Sequence, residues 1–551
     1  MKPNRIYTYI ALIVGVGTFI AWNSPTFNKN PQANSDTQDT LKITILQTAD
    51  IHGQLDPHPE LFWENNEIVF KKRGGLAHIK TLFDEERKKN PGKTLIVDGG
   101  DLIQGSGYVA FSEGEVMTDV IKNMNYDVLI PGNWEVIYGK QKMLEVYEKF
   151  ETPTIVQNMK HEDSNENLYP SYLVKEIDGV RLGFIGINDP DVPIRQNPIF
   201  SKGINFSQID NSVKKFIDKV KVDEKIDVMF LVTHIGIYKQ VTLANSPIAE
   251  NVDYILGNDT HERVRQPIQG TYAKVTEPGA FGSFVGKLNL YFVNNKLVKD
   301  DYELIDVDPE VYKADPEIQA IINKNKAPYQ ENLETIVGYT TEPLYRYLTV
   351  ENPMDNLITD AARWKTGADI SISNGFRFGN PIVPKDGKPA AITRANLWNL
   401  MPVNEPVKTG KATGKQIKMW LEKEMHNAFA QNATERFGGW LVRFSGMKVE
   451  FNSQNDKNER IISIEVNGEP LDENRYYTIS ACERPGDPEH VLCRMPNVID
   501  VETKDYTIHE VVEEYLKLHS PISPKMDGRA YCEYLGVNSF STVPGTDYIF
   551  K

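Results

Sequence analysis

The feature that most constrains this chain is a unit that recurs along its first half. A short apolar run of strand length ends in Asp, Asn or His and gives way to a loop. Lys42 to Gln47 leads into Thr48-Ala49-Asp50-Ile51-His52-Gly53. Thr94-Leu95-Ile96-Val97 leads into Asp98-Gly99-Gly100-Asp101, and Asp127 to Ile130 into Pro131-Gly132-Asn133-Trp134-Glu135. Val180 to Ile187 ends at Asn188-Asp189, and Asp227 to Thr233 at His234. Asp253 to Leu256 ends at Gly257-Asn258-Asp259-Thr260-His261-Glu262. Helical periodicity lies between these runs, as in Gly74 to Lys89, where Leu76, Ile79, Leu82 and Phe83 share a face. Strands alternating with helices predict an α/β protein whose loops gather at one sheet edge. Each Asp-Gly or Asn-Gly alone is ordinary turn chemistry; at least five in series are not explained that way.

The residue types suit divalent metal. Asp50 and His52, two apart on one loop, can grip an ion from the same side, and Asp259-Thr260-His261 repeats the pattern. Glycines beside Asp101 and Asn133 let the backbone approach a ligand closely. An oxygen and nitrogen donor set without sulfur suits Mn, Zn or Fe. All three cysteines, Cys482, Cys493 and Cys532, fall in the second half. Cys482 and Cys493 could close a loop, or all three could be buried free thiols.

Size and charge narrow the function. At 551 residues the chain exceeds a single core. A formal net charge of −15 argues against nucleic acid polymers as partners, but not against small anions drawn to a metal. Lys2 and Arg5 precede an apolar run from Ile6 to Trp22, followed by polar Asn23 to Thr40. This predicts an export signal or an uncleaved membrane anchor, then a tether. The protein is expected in the periplasm or anchored facing it.

The order D-x-H, G-D, G-N, H, x-T-H resembles the calcineurin-like metallophosphoesterase superfamily, and more narrowly the exported 5'-nucleotidases with a C-terminal substrate domain. The resemblance implies two mixed β-sheets packed as a sandwich between helices, then a smaller α/β domain. It divides the chain into residues 1–40, signal or anchor and tether; 41–307, the metal domain; 308–335, a linker helix; and 336–551, the substrate domain. It implies two divalent ions. Asp50, His52 and His261 would hold one, Asn133, His234 and Asp259 the other, and Asp101 would bridge them. Asp101, Asn133 and Trp134 are the expected catalytic residues, in attack of metal-bound water on small phosphoesters, nucleotides above all.

Two positions depart from that family. Trp134 stands where it usually has His, and an indole cannot shuttle a proton. His58, on the loop of Asp50, could stand in for it or be a solvated loop residue. Asp259 replaces the first His of a G-H-x-H motif, which makes the site one unit less positive and favours Mn. Trp134-Glu135 also resembles SoxB, the thiosulfohydrolase relative of the nucleotidases, as do Asp50 to Leu55 and Gly100-Asp101-x-x-Gln104-Gly105-Ser106. A sulfur-ester hydrolase is the alternative, and a binding protein that kept the fold and lost the chemistry is the second.

In the second half, Asn374-Gly375-Phe376-Arg377 and Gly438-Gly439-Trp440 through Gly446 resemble the nucleotidase C-terminal domain. The expected substrate residues are Asn374, Arg377, Trp440, Arg443 and Asp487. Arginine can fork onto a phosphate, and an aromatic face can stack a base. Arg377 stands closer to its Asn-Gly than the family's arginine does. Pro485-Gly486-Asp487-Pro488 replaces the family's glycine-rich loop, and no second aromatic completes a base sandwich.

Overall fold

A computed structural model of the chain describes residues 40–65, 67–375, 377–432, 435–436, 440–484 and 486–533. The apolar run near the N-terminus, Phe376, Gly438, Gly439 and Pro485 lie outside the described residues. No helix among the described residues is long and apolar enough to cross a membrane.

The first portion is built on two sheets. One has five strands in the order Lys296–Asp306, Phe284–Val293, Leu41–Thr48, Thr94–Asp98, Val128–Leu129. The other has six, in the order Ile268–Gln269, Lys274–Thr276, Tyr254–Asn258, Val228–His234, Val180–Asn188, Tyr172–Ile177. Strand period explains the layering. Ile43, Ile45, Leu95 and Val97 point between the sheets, where they meet Phe184, Phe230 and Val232. Leu46 and Ile96 point the other way, onto Ile79, Leu82 and Phe83 of the helix Leu76–Lys89. Ile185, Ile187, Met229 and Leu231 meet Val213, Ile217 and Val220 of the helix Asn211–Asp223. Helix, sheet, sheet and helix form four layers.

Parallel pairing brings the loops together. Thr48 lies opposite Asp98, and Asp98 opposite Leu129. His234 lies opposite both Asn258 and Asn188. Parallel neighbours end on the same side, so the carboxyl ends of the central strands of each sheet share one edge.

The segment expected to link the domains is the helix Pro316–Leu333, capped by Asp315, whose side chain accepts from the backbone of Glu317 and Ile318. Ile318, Ile322 and Leu333 join the first core, so the helix packs as part of that portion. Beyond it, a second five-stranded sheet runs Arg443–Ser445, Ile370–Ser373, Tyr476–Cys482, Pro406–Thr413, Ile499–Thr507. The helices Pro353–Thr366, Gly414–Phe429 and Ile508–His519 accompany it, and the last two begin with capping boxes at Thr413 and Thr507.

A buried carboxylate ties the two portions together. Glu60, on the strand His58–Glu64, accepts from Arg263, from Ser283 Oγ at 2.7 Å and from the hydroxyl of Tyr347. Burial alone would raise its pKa, but Arg263, His58 and Tyr347 reverse this and bring it from the ordinary 4.5 down to about 2. A depressed acid stabilises the fold fully above its ordinary value and loses that contribution as pH falls through the folded one. Glu60→Gln should therefore lower stability by about 3–5 kcal/mol at pH 7, since it leaves Arg263 buried without its counter-charge. The deficit should shrink between pH 4.5 and about 2. Thermal unfolding across that range checks both, and an unchanged melting temperature at pH 7 contradicts the assignment.

Candidate metal centre

The loops at the shared edge are backbone-strained. Asp50 (φ 50°), His52 (51°), Asp101 (59°), Asp259 (93°) and His261 (61°) all lie in the left-handed region. That region is costly for residues with a Cβ, about 1–3 kcal/mol each, and persists only where surrounding bonds enforce it. The enforcing bonds are visible. Asp50 N donates to Gly100 O at 3.0 Å and His52 N to Asp101 O at 2.7 Å, while Phe281 N donates to Asp50 O at 2.8 Å. A Cβ at Gly132 would lie 2.2 Å from Asp101 Oδ1, so only glycine lets the third loop pass the second.

The side chains converge in two groups that share Asp50. One is Asp50, His52 and His261; the other is Asp50, Asp101 and His234. His52 Nδ1 donates to Gln104 O (2.9 Å) and His234 Nδ1 to Gly99 O (2.7 Å). Those bonds fix the tautomers and leave the Nε2 lone pairs turned inward. His52 Nε2 faces His261 Nε2 at 3.1 Å. His234 Nε2 is 3.2 Å from Asp101 Oδ2 and 3.8 Å from Asp50 Oδ1. Three buried atoms, Asp50 Oδ1, Asn133 Oδ1 and His234 Nε2, find no hydrogen-bond partner among the described residues. Burying such atoms unsatisfied is expensive. Converging imidazole nitrogens, an unpartnered carboxylate oxygen and an unpartnered amide oxygen are the donor set of a divalent cation, so these residues fit the metals that the resemblance implies.

The electrostatics agree. Burial raises the Asp50 carboxyl well above its ordinary value; His234 opposes this, and Asp101, Glu277 and Asp259 add to it. Burial, then Glu262, pushes the Glu277 carboxyl up to about 8. For Asp101 the upward push of burial is overcome by His234 and then His52, which in their protonated, metal-free form hold it well below the usual carboxylate range. Acidic groups crowd one dry site.

Two residues around this centre have roles that the sequence did not show. Glu135 is fully buried and accepts from four backbone N–H groups: Gly132 at 2.6 Å, Asp101 at 3.1 Å, Leu102 at 2.6 Å and Ile103 at 3.4 Å. It staples the Asp101 loop to the Asn133 loop. Trp134 N completes the staple by donating to Asp101 Oδ1 at 2.8 Å. The pair Trp134-Glu135 stood out as a motif, but nothing in its spacing showed what the carboxylate holds. Arg195 meets Asp259 through two nitrogens, each at 3.0 Å. This changes the charge argument: the negative charge that Asp259 adds is matched by a guanidinium, and the reason to favour Mn falls away.

One cavity of 140 Å³ is lined by Asp101, Asn133, Trp134, Arg195, Asp259, His261, Asn374, Arg377 and Trp440, among others. A neighbouring cavity of 200 Å³ shares Trp134, Arg195 and Asn374 with it and adds Asp487, Cys482 and Cys493. The expected substrate residues thus divide. Asn374, Arg377, Trp440 and Asp487 line these cavities, although the Arg377 guanidinium is buried and bonded to Glu262 and Thr260 O. Arg443 lines neither; it is buried, bonded to Leu348 O and close to Asp355. His58 is neither a stand-in for the missing His nor solvated. It is buried, with Nε2 3.0 Å from Ser283 Oγ, beside Glu60. Cys482, Cys493 and Cys532 are free thiols, and burial pushes the first two up to about 12.

Glu135→Ala should strand buried N–H groups on two loops, at a cost on the order of 3 kcal/mol. It should also weaken metal binding by about 10–100-fold, the usual cost of losing a group that orients ligands. Thermal unfolding and metal titration of the variant test this; unaltered metal affinity contradicts the stapling role.

Residues 43–263 match the calcineurin-like phosphoesterase family, and residues 336–481 match the C-terminal domain of 5'-nucleotidases. The trifunctional nucleotide phosphoesterase protein YfkN of Bacillus subtilis (strain 168) is 23% identical over 544 residues, which cover 88% of this chain and 34% of that protein. The chain thus spans only about a third of that relative. A 5'-nucleotidase of Vibrio vulnificus (strain CMCP6) is 23% identical over 536 residues, 88% of this chain and 91% of the relative. Among solved structures, the sulfate thiohydrolase SoxB of Thermus thermophilus superposes with a TM-score of 0.79 at 21% identity, covering 89% of this chain and 96% of that one. A 5'-nucleotidase precursor, also of Thermus thermophilus, gives 0.75 at 20% identity, covering 89% and 99%. At such identities the superpositions speak for the fold. The chain therefore joins a calcineurin-like phosphoesterase domain to a 5'-nucleotidase C-terminal domain, and it belongs with the metal-dependent phosphoester hydrolases built on that plan.

Proposed function

We propose that the protein is an exported dinuclear-metal hydrolase of small phosphate esters, with 5'-nucleotides as the first substrates to try. The observation that carries this reading is the convergence of two ligand groups on Asp50, with unpartnered buried atoms on Asp50, Asn133 and His234. In this reading Asp50 takes the shared place expected of Asp101, since it is the residue common to both groups: Asp50, His52 and His261 would hold one ion, and Asp50, Asp101, His234 and Asn133 the second. Two divalent ions supply positive charge against the phosphoryl oxygens and acidify the attacking water. Mn, Zn and Fe remain the candidates. Residues 41–307 are the hydrolytic portion, 308–335 the connecting helix and 336–551 the substrate portion, with residues 1–40 for export and a possible membrane anchor. The named activities of the Bacillus and Vibrio relatives support nucleotides as the substrate class.

The chain's own residues then act as follows. Asn133 presents its amide oxygen to the ion and Trp134 forms part of the cavity wall. Asn374, Arg377, Trp440 and Asp487 face the remainder of the substrate. Trp134 cannot give a proton to the departing oxygen. A general acid is worth about 10²–10⁴-fold in rate, so ester groups that leave as stable anions should be favoured.

Trp134 also supports a second reading, hydrolysis of a sulfur ester. A thiolate leaving group needs no proton, and the solved SoxB shares the fold.

An activity panel on the chain from Leu41 onward separates these readings. With Mn, Zn or Fe added, phosphate release from a nucleoside di- or triphosphate, where an anhydride bond breaks, that is lost in Asp101→Ala supports the first reading; a nucleoside monophosphate, which must expel its 5'-alkoxide, should react more slowly. Sulfate release from a thiosulfonate without phosphate release supports the second. Metal uptake with neither reaction points to a binding protein. Within the first reading, nitrophenyl phosphate should turn over about 10²-fold faster than an alkyl phosphate, and Trp134→His should narrow the gap. Equal rates in the unaltered protein would contradict the role given to Trp134.

A further inference from the structure

Asp259 occupies a position expected to ligate metal, yet both of its carboxylate oxygens are taken by protein donors. Oδ1 accepts from Asn133 Nδ2 at 2.8 Å and from Arg195 Nη2 at 3.0 Å; Oδ2 accepts from Arg195 Nη1 at 3.0 Å. The contrast with Asp50 Oδ1, Asn133 Oδ1 and His234 Nε2, which have no partner, is sharp. Nη1 of the same guanidinium also donates to Asp189 Oδ2 at 2.5 Å, and Lys239 Nζ holds Asp189 in turn at 2.8 Å. Gly236 keeps the carboxylate's place clear, since a Cβ there would lie 2.8 Å from Asp259 Oδ2.

We propose that Asp259 is the anchor of Arg195 rather than a metal ligand, and that Arg195 is a substrate-contacting residue which binds an anionic oxygen of the ester. The inference rests on the hydrolase reading above. Three hydrogen bonds to Asp189 and Asp259 engage three of the five guanidinium N–H groups. Their carrier lines the same cavity as Asp101, Asn133, Trp134 and His261. A planar fork with donors to spare suits the oxygens of a phosphate or sulfonate. Among the neighbouring groups Trp134 offers one N–H and Asn133 Nδ2 is spent on Asp259, while Arg377 and Arg494, which line the same cavity, are paired with Glu262 and Glu424. Asp259 does a second job through that last bond. It orients the Asn133 amide and leaves its oxygen for the ion, as an outer partner does for a ligating side chain.

The test is a structure of the full chain loaded with Mn²⁺ and inorganic phosphate, together with Arg195→Gln and Arg195→Lys in solution. The expected structure keeps Asp259 on Arg195, farther than about 3 Å from either ion, with Arg195 hydrogen-bonded to a phosphate oxygen. Arg195→Gln should keep its Mn content by elemental analysis while its phosphate dissociation constant rises about tenfold or more. Arg195→Lys should recover part of that loss, having the charge but not the fork. An Asp259 oxygen bonded to Mn with Arg195 displaced overturns the inference and leaves the hydrolase reading intact. So does an Arg195→Gln variant that loses Mn while its loaded fraction binds phosphate as before. A chain that takes up no divalent metal overturns the hydrolase reading, and this inference with it.

Discussion

The rest of the structure is organised around a patch of buried negative charge with too few protein cations to balance it. Asp50, Asp101, Glu262 and Glu277 are buried within a few residues of one another's loops, beside His52 and His234. Charges of like sign in a dry site repel strongly, and a fold that creates such a site has to neutralise it or lose stability. Arg195 and Arg377 each neutralise part of it, on Asp259 and Glu262. The remainder, Asp50 with Asp101 and three inward-facing imidazoles, is left for cations from solution.

Holding such a site requires rigidity that the loops do not have by themselves. Five proposed ligand or neighbouring positions adopt left-handed backbone. Each would relax if cut from its surroundings. The loops are instead bonded to one another. The first loop bonds to the backbone of the second, the second bonds to Glu135 of the third, and the sixth donates Asp259 N to Asp50 Oδ2 at 3.2 Å. Strand pairing brings six loops to one edge, and these cross-links convert nearness into fixed geometry.

Much of this was legible in the sequence because it depends on pattern. Strand runs ending in Asp, Asn or His fix both the α/β class and the side of the sheets where the site lies, and Asp50, His52, Asp101, His234 and His261 do converge. What the sequence could not disclose was which polar groups meet across long separations. Glu135 stands in the sequence only as half of the Trp134-Glu135 resemblance, yet it holds four backbone donors. Arg195 lies 64 residues from Asp259 and in no motif. Arg443 and His58 illustrate the converse. Each has the right chemistry for a site, and each is buried elsewhere with its own partners, because a residue type says what a side chain can bind but not where packing aims it.

The two departures from the nucleotidase pattern bear on one another. Trp134 removes a group that could deliver a proton to the departing atom. Asp259, as the anchor of Arg195, brings a permanent cation to the same cavity in place of a neutral imidazole. A proton donor is thereby exchanged for a fixed charge. A guanidinium stabilises negative charge on nonreacting oxygens as it builds up, and does so at every pH the protein survives. It does nothing for a basic alkoxide that must be protonated to leave. Such a site discriminates by leaving group before it discriminates by the shape of the organic moiety, favouring anhydride, aryl oxide or thiolate over alkoxide. That preference is common to the phosphate and the sulfur readings, so neither the fold, shared by both solved relatives, nor the leaving group chooses between them; the group handed to water, phosphoryl or sulfonyl, does.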